Sequence, residues 1–193
     1  MRIVKYPHPT LRHKSKPLRR VDAELKKLVR GMLDLMYEHK GIGLAANQVD
    51  LPYRLFVLNL QADPKEGEEF VFINPVISRP SGGTAESEEG CLSFPELYAP
   101  VRRAERVLIS GYDLDGREVR YELSGLFARA AQHEADHLEG ILFIDRLSDS
   151  SKLDVRDKLA ELEGEYAGSL RRGAVPDESR VAARLAELEA LRT

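Results

Sequence analysis

The chain has 193 residues, of which 42% are hydrophobic, enough to bury one substantial core. A formal net charge of −3 gives no bulk electrostatic reason to bind nucleic acid, so no sequence-specific nucleic-acid partner is expected. No apolar run approaches the roughly 18 residues of a membrane span, the N-terminal stretch lacks a signal-peptide core, and Cys91 has no second cysteine to pair with. These features predict a cytoplasmic protein without membrane or disulfide.

Residues 7–20, rich in Pro and basic side chains, read as an irregular lead-in. From Asp22 to Lys40 the apolar positions Leu25, Leu28, Val29, Met32, Leu33 and Met36 follow helical spacing, and Gly41 reads as the stop. Gly41 to Gln48 is a run of small residues expected to form a loop. Tyr53–Leu60 and Phe70–Ile77 read as strands joined by a charged turn around 63–69. Val107–Tyr112 and Glu118–Leu123 flank Asp113-Leu114-Asp115-Gly116, a hairpin signal. Ser124 is placed to cap a helix over the following residues, and Ile141–Ile144 reads as a short exit strand. Residues 150–172 and 177–193 are charged and helix-prone, with a break at 173–176 and a weak stripe of Leu185, Leu188 and Leu191.

The helix after Ser124 carries His133-Glu134-Ala135-Asp136-His137. A helix turns about 100° per residue, so the two imidazoles share one face and can meet one metal ion. The Glu beside the first can then act as general base on a water, which suggests metal-assisted hydrolysis of an amide. Such a five-residue pattern arises by chance in roughly one percent of chains this long. Leu126, Phe127, Ala130, Ala131 and Leu138 make the helix largely apolar, so its polar groups need buried partners. A catalytic metal commonly has three protein ligands. Glu161 and Glu165 downstream, or Cys91 upstream in Glu89-Gly90-Cys91-Leu92-Ser93, are the candidates for the third.

Three motifs in order, Gly41-Ile42-Gly43-Leu44-Ala45-Ala46-Asn47-Gln48, Glu89-Gly90-Cys91-Leu92-Ser93 and Gln132-His133-Glu134-Ala135-Asp136-His137, together resemble the bacterial type of the peptide deformylase family. The resemblance spans residues 1–147, a catalytic domain, and leaves 148–193 as a helical C-terminal extension. It implies an α+β fold, with antiparallel sheets packed around a central helix that carries the two histidines. It also implies removal of the formyl group from formyl-methionyl nascent peptides, with release of formate. Cys91, His133 and His137 would be the metal ligands, with a water in the fourth position. The metal would be Fe²⁺ in the cell, with Ni²⁺, Co²⁺ or Zn²⁺ as substitutes. Glu134 would move the proton, and Gln48 and the Leu92 N–H would donate to the oxyanion. Backbone around Gly43 and Gly90 would hold the peptide as an added strand, and Ile42, Leu126 and Ala130 would line the methionine pocket. Glu89 reads either as the group that orients a ligand histidine or as an exposed strand-end carboxylate. In the family a C-terminal helix can dock on the ribosome, a role open to this tail through Arg171 and Arg172. Two other readings stand beside this one: an endoprotease with a downstream Glu ligand, and a peptide-binding module with a structural metal.

Overall fold

Residues 23–38 combine helix-favouring side chains with an apolar stripe, and α1 spans Ala23–Glu38 in the computed structural model, which describes residues 1–193. The Asp22 carboxylate caps it by accepting the Leu25 N–H, and Leu25, Val29, Met32, Leu33 and Met36 form its buried face. The expected stop at Gly41 falls one residue earlier. Lys40 takes the left-handed conformation (φ 55), and the N–H groups of Lys40 and Gly41 donate to the carbonyls of Tyr37 and Met36, both at 2.9 Å. Gly41 is small for another reason: a Cβ there would meet Leu92 Cδ1 at 2.7 Å.

Five antiparallel strands follow in spatial order β1-β2-β3-β4-β5: Gly43–Ala45, Leu55–Leu58, Phe70–Cys91, Phe94–Tyr112 and Glu118–Ser124. The fold is α+β. The small-residue run expected as a loop is β1 plus a 3₁₀ turn, Ala46–Val49; it is ordered because Gly43 and Ala45 pair with Leu58 and Phe56. β3 runs well past the expected end at Ile77. Pro80, Gly82 and Gly83 suggest a break, but register shifts between Ser78 and Thr84 absorb them and the ribbon with β4 continues to Cys91. The hairpin at 113–116 forms as expected, with Gly116 at φ 75.

α2 spans Gly125–Leu138. Ser124 occupies the N-cap position but makes no side-chain cap bond; the chain enters the helix through Gly125 at φ 57 instead. Ala128, Ala131 and Leu138 pack against Phe56, Phe72 and Ile109 of the sheet. The expected exit strand at 141–144 is a 3₁₀ turn, Phe143–Arg146, whose start is fixed by Asp145 accepting the Leu142 N–H at 2.8 Å. A short buried apolar run does not distinguish the two forms.

The tail forms α3, Asp149–Arg171, and α4, Glu178–Arg192, with the break at 173–176. α3 buries Val155 and Leu162 beside Phe94, Leu97 and Phe143. α4 buries Val181 and Leu185, while Leu191 stays exposed. α4 also pairs with the N-terminal region: Arg192 with Asp22 at 2.9 Å, and Glu189 with His13 at 2.7 Å and Lys16 at 2.6 Å. No helix is long and apolar enough to cross a membrane.

Candidate active site

Three elements converge at the mouth of a cleft of about 600 Å³. α2 supplies His133, Glu134 and His137; the end of β3 supplies Cys91; the 3₁₀ turn after β1 supplies Gln48. One ligand atom from each of Cys91, His133 and His137 lies within 4.8 Å of the others, and Cys91 Sγ is 3.3 Å from His137 Nε2. A thiolate and two imidazoles form a donor set suited to a first-row transition ion. Glu161 and Glu165 sit exposed on α3 and are absent from the cluster, so the endoprotease arrangement is not formed.

His133 is held from behind. Its Nδ1 lies 3.0 Å from Glu89, which fixes the ring and turns Nε2 toward Cys91. Glu89 is buried, which discards the exposed-carboxylate reading. Arg103 binds Glu89 through two nitrogens, at 2.7 and 2.9 Å, and Arg129 adds a third contact at 2.6 Å. Burial opposes the charge on Glu89, but the bonds from His133 and Arg103 outweigh it and hold its pKa at about 2. Burial likewise opposes charge on His133, while Cys91 and Glu89 favour it and raise its pKa to about 10. His137 is driven well below the ordinary histidine value by burial and by its neighbour His133.

Arg103 also reaches Asp136 at 2.7 Å, and Arg146 closes on the same carboxylate. The sequence showed that the carboxylates of this helix need partners, but Arg103, Arg129 and Arg146 did not emerge from it. A signal was present: Leu97, Ala99, Val101 and Arg103 alternate inward along β4, and a charge at an inward position demands a partner.

Glu134 lines the cleft, and its Oε2 is buried without a protein partner. Burial pushes its carboxyl up to about 7. Gly43 lies directly against it: a Cβ there would come within 2.5 Å of Glu134 Oε1. The Gln48 amide is oriented by its own turn. Its Oε1 accepts the Ala45 N–H at 2.8 Å, which leaves Nε2 facing Cys91 Sγ at 3.3 Å and Ser93 Oγ at 3.4 Å. Leu92 follows Cys91 in the turn between β3 and β4, and its side chain packs over Gly41. Gly90 lies under Tyr98, whose Cε1 would be 2.5 Å from any Cβ. Ile42, Leu126 and Ala130 all line the same cleft. Arg171 and Arg172 are exposed at the end of α3, outside it.

These features match known proteins throughout the chain. A family model described as polypeptide deformylase matches residues 1–153. A peptide deformylase of Rhodopirellula baltica is 48% identical over 191 residues, covering 99% of this chain and 94% of its own. A chloroplastic peptide deformylase 1B of Solanum lycopersicum is 46% identical over 166 residues, 86% of this chain and 60% of the plant protein. The crystal structure of Arabidopsis thaliana peptide deformylase 1B superposes with a TM-score of 0.85 at 45% identity, over 95% of this chain and 99% of that one. A family match over most of the length, with relatives at this identity, establishes that the chain belongs to the peptide deformylase family.

Proposed function

We propose that this chain hydrolyses the formyl group from formyl-methionyl nascent polypeptides and releases formate. The observation that carries the proposal is the meeting of Cys91, His133 and His137 with a buried, partnerless Glu134 carboxylate oxygen and a pre-oriented Gln48 amide in one cleft. Cys91, His133 and His137 would hold one divalent cation, Fe²⁺ in the cell with Ni²⁺, Co²⁺ or Zn²⁺ able to substitute. Such a cation lowers the pKa of water and polarises a carbonyl.

The chain's own residues do the rest. Glu134, buried and with a free carboxylate oxygen, accepts a proton from the attacking water and returns one to the departing amine. Gln48 Nε2 and the Leu92 N–H donate to the oxygen that gains charge, a contribution of about 3 kcal/mol per donor. Gly43 and Gly90 let the substrate backbone pass beside Glu134 as an added strand. Ile42, Leu126 and Ala130 give the methionine side chain an apolar wall. Every one of these groups precedes residue 148, which supports residues 1–147 as the catalytic domain and 148–193 as a helical extension. The protein would act in the cytoplasm, and exposed Arg171 and Arg172 would let the extension meet the acidic surface of a ribosome.

Formate release from a formyl-Met tripeptide, run beside a casein digest, tests the proposal. The expected result is formate without casein cleavage. Casein cleavage without formate would replace the reading with an endoprotease, and neither product with metal bound would favour a binding module.

A further inference from the structure

β3 ends at Cys91 and β4 begins at Phe94, so Leu92 and Ser93 are the two central residues of a turn. Neither has a positive φ, so this is not one of the mirror-image turns that match the twist of a hairpin. The ladder slips register between Gly90 and Cys91, just before it. A two-residue turn leaves the carbonyls and the N–H groups of both central residues outside the ladder. One of these N–H groups is that of Leu92, one of the two donors assigned to the oxyanion.

Both free carbonyls are met by one segment from the far end of the chain. Lys5 Nζ donates to the Leu92 carbonyl at 2.8 Å, and the Tyr6 N–H donates to the Ser93 carbonyl at 2.9 Å. The preceding residue reaches the other donor's backbone: the Val4 N–H donates to the Gln48 carbonyl at 2.8 Å. Three consecutive residues therefore bind the turn of Leu92 and the turn of Gln48 at once. The segment is itself anchored, since Val4 is buried and Tyr6 stacks on Phe94 at 4.9 Å and donates to Glu163 at 2.7 Å. Of the three bonds to these turns, only that of Lys5 comes from a side chain, and the Leu92 carbonyl is the one hydrogen-bond partner of its ammonium.

We propose that Lys5 is a positioning residue for catalysis: by holding the Leu92 carbonyl it fixes the 92–93 turn against the 4–6 segment, so that the Leu92 N–H and the Gln48 amide aim at one point. This rests on the deformylase reading. Lys5 lines the cleft, and its ammonium acts through the Leu92 carbonyl. Its value is geometric, since an oxyanion donor works only when it is already in place as charge develops. A small misplacement of such a group costs as much as 100-fold in rate. Loss of one partly exposed hydrogen bond behind the donor should cost about 10-fold, because Tyr6 still holds Ser93.

Lys5→Met keeps the alkyl stem and removes the donor; Lys5→Arg restores a donor. For the zinc-loaded protein the expected result for Lys5→Met is a kcat about 10-fold lower, a KM within about twofold of wild type, and unchanged metal content. Lys5→Arg should recover most of the kcat. The second readout needs no turnover: in ¹⁵N spectra of the same zinc-loaded proteins, the Leu92 and Ser93 amides should broaden by exchange in Lys5→Met and sharpen again in Lys5→Arg. Unchanged turn amides in Lys5→Met would overturn the proposal, as would a kcat loss accompanied by loss of metal, which would make Lys5 a support of Cys91. If wild type released no formate, the deformylase reading would fail by itself, and the amide spectra would still decide whether Lys5 holds the turn.

Discussion

α2 and α3 both carry dense charge in the sequence, yet the fold uses that charge in opposite ways. α2 buries His133, Glu134, Asp136 and His137, whereas α3 buries Ser151, Val155, Leu162 and Gly168 and leaves its carboxylates at the surface. The difference lies in what the rest of the chain supplies. Glu89 and Arg103 come from β3 and β4 to meet His133 and Asp136 of α2, while ion pairs of α3, such as Lys152 with Asp149 and Arg156 with Asp157, join solvent-exposed partners within the same helix. Buried charge with complete partners can be held poised for chemistry, at the risk of a large penalty when one partner is lost. Exposed pairs are worth under about 1 kcal/mol and tolerate change.

The largest effect should come from removing a ligand on the buried side. Cys91→Ala should lose most of its metal and all measurable formate release, as read by elemental analysis of the purified variant. Retained metal would mean that another group takes the third position. Gln48→Leu should keep the metal and lower kcat by about 100- to 1,000-fold. An effect confined to KM would reassign Gln48 to ground-state binding.

Arg103→Met probes the partners rather than the site. It leaves Glu89 and Asp136 buried without their shared cation, and should cost about 3–5 kcal/mol. For a chain of this length that lowers Tm by about 10 °C, measurable by calorimetry. A loss no larger than that of the exposed pair partner Lys152→Met would erase the contrast between the two helices. The smallest effect on turnover should come from the tail. Deleting residues 177–193 uncovers the surface that Val181 and Leu185 cover and breaks the Arg192 pair with Asp22. Tm should fall by about 5–10 °C, while kcat on a short formyl peptide stays within about twofold. A kcat loss comparable to that of Gln48→Leu would give the tail a role in the site.

The candidate site residues were legible because they sit in compact motifs with fixed offsets. Cys91, His133, Glu134, His137 and Gln48 were all named from sequence; the fold brings Gln48, Cys91, His133 and Glu134 into one cleft and sets His137 beside Cys91 and His133. The 3.6-residue period located α1, and the Asp113–Gly116 signal located the β4–β5 hairpin. What the sequence hid are long-range pairings with no local signature. β1 is a strand only because β2 lies beside it, and β3 continues through Pro80 only because bulges re-register it against β4. Glu89 was one of two readings open in the sequence, but the Arg103 that clamps it and also reaches Asp136, 33 positions away, was not, and Lys5 meets Leu92 across 87. The tail hid its contacts in the same way. Glu189 reads as one more surface charge on α4, yet it is buried between His13 and Lys16.

The central claim is that the buried Glu134 moves the proton while Cys91, His133 and His137 alone hold the cation. Glu134→Gln, assayed for metal content and formate release on the same preparation, tests both halves together. The account predicts full metal occupancy with turnover reduced about 100- to 10,000-fold, since the amide preserves shape but accepts no proton. Wild-type turnover at normal metal content, or loss of the metal itself, would contradict it.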